Sequence, residues 1–248
     1  MNKPITDEMR ALDATYHMHP FSDPKQLPKD GVRVITQAKG VMIWDSEGNR
    51  YIDGMSSLWN VNVGHGRKEL AQAAMEQFDQ VEYFNLFYKT TNIPAVKLAE
   101  KLAEVSPPQF QHTMFTNGGS ESIDTAFRLA RHFWAMQGKP EKFHVIARKN
   151  AYHGSTVCGA SLGGMKPMHE QGGLPIPGIT HIDQPYWWGE GGDMSPDEFG
   201  IWAAQQLARE IDRIGEDRVA AFFAEPIQGA GGVIIPPKTY WPEVARIL

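Results

Sequence analysis

The sequence is poor in the features that mark several classes of protein. Its 248 residues hold one cysteine, Cys158, so no disulfide can form within the chain, and a reducing compartment suits it. No apolar run is long enough to span a bilayer. The opening MNKPITDEMRALDATYH lacks the continuous apolar core of a secretory signal. Positive charge is not in excess either: the formal net charge of -5 gives no electrostatic case for nucleic acid or an anionic membrane. His17 and His19 have ligand-like spacing, but no second pair and no cysteines accompany them, so no metal site is expected. Cys158 has no basic neighbourhood in sequence and is expected to be inert. What remains is an ordinary globular composition, 42% hydrophobic and 21% charged, in a chain long enough to bury a real core. A cytoplasmic enzyme is the expectation.

The pattern along the chain changes once. An opening helix near 6–16 leads into a proline-bearing arm. The stretch VRVITQAKGVMIWDSEGNRYID (32–53) then alternates apolar and polar residues, with turns at Gly40 and Glu47-Gly48-Asn49, which predicts a small antiparallel meander. Leu70, Ala74, Phe78 and Val81 mark one helix face, and Ala95, Leu98, Ala99, Leu102 and Val105 another. Beyond them apolar runs at 112–116, 143–148, 179–183 and 219–227 alternate with helical stretches. Ser195 and Glu198 have capping-box spacing, Pro196 follows the cap, and Gly215 ends that helix. At the end, Thr239 is placed to cap a last helix with Pro242 in its first turn. The pattern predicts an α/β fold with a mainly parallel sheet, helices on both faces, and an N-terminal antiparallel meander. The chain stops inside that last helical stretch, which reads as a truncation.

The stretch TNGGSESIDTAFRLARHFW (116–134) puts two glycines and two serines at a helix start. Such a start leaves about four unpaired N–H donors and roughly half a positive charge. Glycine lets an anion reach the backbone, and serine adds hydroxyl donors, so a phosphate suits the site. A plain turn with a serine cap is the alternative. The spacing is neither a Walker A loop nor a full GxGxxG fingerprint. NAYHGST (150–156) and AEPIQGAGG (224–232) follow later strands, so Tyr152, His153 and Glu225 are expected to converge with the 118–122 turn at the carboxyl ends of a parallel sheet, where such sheets bind ligands. Taken singly, Tyr152 reads equally as a core aromatic, His153 as a turn histidine and Glu225 as an ion-pair partner.

Together, LWNVNVGHGR (58–67), NLFYKTT (85–91), TNGGSES, YHGST, SLGGMKPMHEQGGLPIPG (161–178), DMSPDEFG (193–200) and AEPIQGAGGVIIPPKTYWPE (224–243) resemble the N-terminal portion of a class III, fold-type I aminotransferase of the ω-transaminase group. The resemblance implies pyridoxal 5'-phosphate as cofactor. It implies that Gly119 and Ser120 bind the phosphate, that Tyr152 stacks on the pyridine ring, and that His153 and Glu225 lie beside the cofactor. Glu225 would be able to pair with an arginine that reads a substrate carboxylate. Trp59, Phe87, Tyr88 and Ala230 match substrate-pocket positions. Residues 1–60 would be arm, helix and meander of a small domain, and 61–248 an incomplete large cofactor-binding domain. The implied reaction moves an amino group from an amine, diamine or ω-amino acid to pyruvate or a similar keto acid, in a homodimer without nucleic-acid or membrane partners.

No catalytic residue is assigned within the chain. The family's Schiff-base lysine and pyridine-nitrogen aspartate follow the Glu-Pro-Ile-Gln segment and are expected beyond Leu248. After Glu225 the chain has only Lys238 and no aspartate, and Lys39 in its AKG triplet belongs to the meander. The chain alone is therefore expected to be inactive. An aminomutase or epimerase on the same scaffold, or a non-catalytic binding or dimerising module, are the alternatives.

Overall fold

In the computed structural model, which describes residues 3–248, the alternating stretch at 32–53 folds into an antiparallel meander. Its strands are β1 (Ile35–Lys39), β2 (Met42–Asp45) and β3 (Arg50–Ile52), and they pair in that order. Gly40 turns β1 into β2 at a φ of 58°. The second turn is built on Asp45: its carboxylate accepts from the N–H groups of Glu47 and Asn49 at 3.0 and 2.8 Å, and from the Tyr51 hydroxyl at 2.9 Å. Helices α1 (Lys3–Tyr16) and α2 (Leu27–Asp30) precede the meander. After it come α3 (Ser56–Trp59), α4 (Lys68–Val81) and α5 (Ile93–Val105). These elements form one unit, which ends at Val105. That boundary follows internal packing, a different criterion from the one that separates 1–60 from 61–248.

The second unit, Ser106–Leu248, alternates helices and strands. In order they are α6 (Gly119–Met136), β4 (His144–Arg148), α7 (Val157–Leu162), α8 (Lys166–His169), β5 (Ile179–Ile182), α9 (Trp187–Glu190), α10 (Pro196–Ile214), β6 (Val219–Phe222) and α11 (Tyr240–Ile247). The sheet order is β5-β4-β6 and both pairings are parallel. Successive residues of a strand point to opposite faces, and the sheet uses both. Ile146 and Ile182 pack with Phe199, Leu207 and Tyr240 from α10 and α11. Val145 and Ile179 pack with Phe127 of α6 and Leu162 of α7. The central strand is hence apolar without alternation, the composition a doubly covered parallel strand requires.

Helix α10 begins as its sequence predicts. Ser195 and Glu198 make both capping-box bonds, Pro196 occupies the first turn, and Gly215 turns the chain out at a φ of 99°. Ser195→Ala is expected to cost about 1 kcal/mol of stability, read by urea denaturation; an unchanged midpoint would show that the cap adds nothing here.

Three expectations need correction. Residues 112–116 form no strand: they pair with no strand among the described residues, and Met114 and Phe115 are exposed. A β-rich segment without a neighbouring edge has no ladder to join. The run 219–227 is a strand only to Phe222. Phe223 donates one more ladder bond to Ile146, and Pro226, without an N–H, follows three residues on. Thr239 stands at the start of α11, but its hydroxyl donates to the Asp197 carbonyl at 2.8 Å instead of capping.

Candidate active site

At the carboxyl ends of β4 and β6 lies a cavity of about 530 Å³. It gathers Gly119 and Ser120 from the start of α6, Tyr152 and His153 from the loop after β4, and Glu225 from the loop after β6. The five residues named from sequence as the cofactor set thus line one hollow. Ile123, Phe223 and Ala224 add apolar wall, and sequence reading did not single them out.

The α6 start is built for an incoming group. Its cap residue, Gly118, is extended and offers no side-chain acceptor to the first-turn N–H groups. Neither serine caps the helix. Ser120 Oγ accepts from the Ser155 N–H at 3.0 Å, and Ser122 Oγ lies 2.6 Å from Thr116 Oγ1. A methyl group on Gly119 would meet nothing within 4 Å, so the space beside its backbone is open. Gly154 is the opposite case. A methyl group there would sit 2.6 Å from Ser120 Oγ and 2.9 Å from Ser120 Cα, and its φ is 120°. Only glycine fits between that turn and the helix start.

His153 is 7% exposed, stands edge-on to the Phe223 ring at 6.4 Å, and leaves Nε2 without a hydrogen-bond partner. Burial, reinforced by the positive Arg148 and by His181, pushes its pKa down to about 4. The imidazole is consequently neutral at physiological pH. The Glu225 carboxylate is a staple: one oxygen accepts from the Tyr152 N–H and the other from the Gly229 N–H, each at 3.1 Å. Its carbonyl takes a bond from the fully buried Arg148 guanidinium, which lies against the rings of Tyr240 and Trp241. Sequence reading missed Arg148, although one charge closing the apolar run HVIAR was its signal. Gln228, also fully buried, donates to the Lys149 carbonyl at 3.0 Å and ties the glycine run to the end of β4. Ala230 is exposed and does not line the cavity.

Trp59, Phe87 and Tyr88 belong to the first unit and are exposed there. Trp59 closes an unusual segment. Ser56, Ser57, Leu58 and Trp59 have φ values of 48°, 49°, 61° and 64°, so α3 is a left-handed helical turn without a glycine. Each such residue costs roughly 1–2 kcal/mol relative to the right-handed form. Asp53 meets the turn: its carboxylate accepts from the Ser57 N–H at 2.9 Å, the Ser57 hydroxyl at 2.8 Å and His65 Nε2 at 2.8 Å. These bonds, the Ser57 N–H first, hold the Asp53 carboxyl below its ordinary pKa.

Other singled-out residues have plainer surroundings. His17 and His19 both bond to the Asp13 carboxylate, at 2.9 Å, a third member that sequence spacing alone had not supplied. Lys238 pairs with Asp197 at 3.0 Å, and Lys39 ends β1. Burial first, then Asp124, pushes the Cys158 thiol up to about 11, so it stays protonated at neutral pH. Among the described residues no helix is long and apolar enough to cross a membrane.

A parallel sheet with a cavity at its carboxyl edge, preceded in the chain by a meander, is the architecture of fold-type I transaminases. The chain superposes on an (S)-enantioselective ω-transaminase from Thermomicrobium roseum with a TM-score of 0.93, at 41% identity, over 98% of this chain and 54% of that one. It belongs to the aminotransferase class-III family, whose sequence model matches residues 26–248. It is 58% identical to the putrescine–pyruvate aminotransferase of Pseudomonas aeruginosa over all of this chain and 55% of that protein. A diaminobutyrate–2-oxoglutarate transaminase of Halomonas elongata is 36% identical over 87% of this chain and 47% of its own length. The chain spans about half the length of the curated relatives it matches. Class-III aminotransferases depend on pyridoxal phosphate.

The cavity fits that cofactor on its own terms. Open space beside Gly119, unpaired helix-start donors, a half-buried serine hydroxyl and an orphaned imidazole nitrogen are what a phosphorylated ring needs.

Proposed function

We propose that the protein to which this chain belongs moves an amino group from an amine, diamine or ω-amino acid to pyruvate, giving alanine, with pyridoxal phosphate as cofactor. The observation that carries the reading is the convergence of Gly119, Ser120, Tyr152, His153 and Glu225 on one cavity at the carboxyl edge of the sheet. When bound, the cofactor supplies an electron sink for exchange between amine and keto acid. The N–H groups of Gly119 and Ser120, with the Ser120 hydroxyl and the α6 dipole, hold its phosphate. Tyr152 covers the ring face. His153 stays neutral and adds no charge to the cavity it lines. Glu225 fixes the Tyr152 backbone and keeps lone pairs for an arginine that reads a substrate carboxylate. Ile123 and Phe223 exclude water from the same hollow. The family resemblance assigns Trp59, Phe87 and Tyr88, and from the second unit Ala230, to contact with the substrate. No residue of this chain is assigned as the lysine that anchors the cofactor or the aspartate that keeps its ring nitrogen protonated, and residues 1–248 alone are expected to be inactive. The intact protein is a cytoplasmic homodimer.

The test is alanine formation by the full-length protein from pyruvate and putrescine, the donor named in its 58%-identical relative, beside the same assay on residues 1–248. Stoichiometric alanine from the full-length protein alone is expected. No alanine, together with isomerisation or racemisation of an amino acid supplied in a parallel assay, would instead establish an aminomutase or epimerase. Alanine from residues 1–248 would put the anchoring lysine inside this chain.

A further inference from the structure

The left-handed turn at Ser56–Trp59 is not explained by packing. Leu58 and Trp59 are 68% and 58% exposed, so the strain is not offset by burying the residues that bear it. What opposes it is a hydrogen-bonded mount. Asp53 follows β3 directly, and its N–H donates to the Val41 carbonyl at 2.9 Å. The Ser56 N–H bonds back to the Asp53 carbonyl at 3.2 Å, and the side chain holds Ser57 twice. His65 closes the far side. It exchanges backbone bonds with Gly40 at 3.0 and 2.8 Å, and its ring bonds to Asp53. The Asp53 and His65 side chains are 9% and 17% exposed, so water competes little for the pair. Both residues are therefore tied by backbone bonds to the β1–β2 end of the meander. Strain held in place by a surrounding network is characteristic of functional segments.

We infer that Asp53 and His65 are positioning residues that hold Ser56–Trp59 in its left-handed turn and so set where the Trp59 indole meets the amine substrate. The inference rests on the aminotransferase reading for the role of Trp59. The mount itself is independent of that reading. In a right-handed or extended 56–59 the indole would leave the turn in another direction. The class of amine accepted would then change through residues that do not touch it.

The test uses the full-length protein labelled with 5-fluorotryptophan, the Trp59 signal being assigned with Trp59→Phe. Asp53→Ala is expected to move or broaden that signal and leave the other tryptophans in place. It should also lower kcat/KM for the amine by roughly ten- to hundredfold, as misplacement of a substrate-contacting group does. Adding Ser57→Gly should restore both, because glycine adopts a φ near 49° without strain; a merely structural defect would not respond to glycine at that position. If Asp53→Ala does not fold, His65→Gln, which removes one arm of the mount, is expected to change the same two readings to a smaller extent. An unmoved Trp59 signal in the folded variant overturns the mount. A moved signal with unchanged amine kcat/KM overturns the link to substrate. A wild-type protein that transaminates nothing sinks the functional reading instead, and the fluorine spectra still decide the mount.

Discussion

Gly154→Ala is expected to destabilise the second unit by about 2–4 kcal/mol and to abolish pyridoxal-phosphate binding at micromolar cofactor. The new methyl would stand 2.6 Å from Ser120 Oγ and 2.9 Å from Ser120 Cα, in a backbone conformation that L-residues rarely adopt. The hydroxyl can rotate away, but the Cα cannot, so the helix start and the loop must separate. The magnitude combines a strained positive φ with overpacking. Gly119→Ala separates structure from binding. Its methyl meets no protein atom within 4 Å, and alanine at a helical position is favoured over glycine by up to about 1 kcal/mol. That variant should therefore melt no lower than the wild type while binding the phosphate less well, because the methyl occupies the open space beside the backbone. Chemical denaturation and cofactor titration on both variants decide the matter. Equal loss of stability in the two would mean that the glycines serve folding alone.

The second large effect is acid sensitivity from His153. Its folded pKa of about 4 lies below the 6.5 of a free imidazole, and the cause is burial, then the charges of Arg148 and His181. Between these values the unfolded chain binds a proton that the folded chain refuses. Stability due to the neutral imidazole is thus complete above about pH 6.5 and falls as pH drops to 4. At roughly 1.4 kcal/mol per pH unit the loss amounts to about 3 kcal/mol. His153→Asn carries no titrating ring and should flatten that part of the pH–stability profile, whatever its own stability at pH 7. Urea denaturation at several pH values from 7 to 4 provides the comparison. Parallel profiles for variant and wild type would show that His153 titrates normally.

Some of this was legible before the fold was known. The capping box at Ser195 and Glu198, the meander turns and the parallel runs at 143–148 and 179–183 are local signals. Propensity, pattern and tertiary structure agree on them. Tyr152, His153 and Glu225 could be placed together because they follow the runs that become β4 and β6, and parallel sheets gather such loops at one edge; Gly119 and Ser120 follow no strand and are named through the family resemblance. Less legible was whatever depends on a partner far along the chain. Residues 112–116 have strand composition, but no edge in the described structure takes them up. Arg148 looks like a solvent-facing end of a strand, yet it is fully buried and meets the Glu225 carbonyl, 77 residues away. Ser56–Trp59 holds no glycine, so nothing in its composition announces a left-handed turn. The cause lies with Asp53 and His65, outside the segment. Gly154 could be seen in the sequence, but its contact with Ser120 could not.

The position of β4 between β5 and β6 has a kinetic side. Ala38 meets Ile43 across the meander after a short excursion, whereas Val145 pairs with Ile179 and with Ala221. Closing the latter pair requires 76 residues to be spanned, counted from 145 to 221. Long closures cost more chain entropy before any contact offsets it, and they slow folding. The hollow between the loops after β4 and β6 therefore exists only once the longest closure of this sheet is complete. A ligand of that hollow selects chains that have finished it, and by mass action draws unfinished ones to the same end. Cofactor supply during synthesis would then govern how much of the protein survives to be folded, quite apart from its part in chemistry.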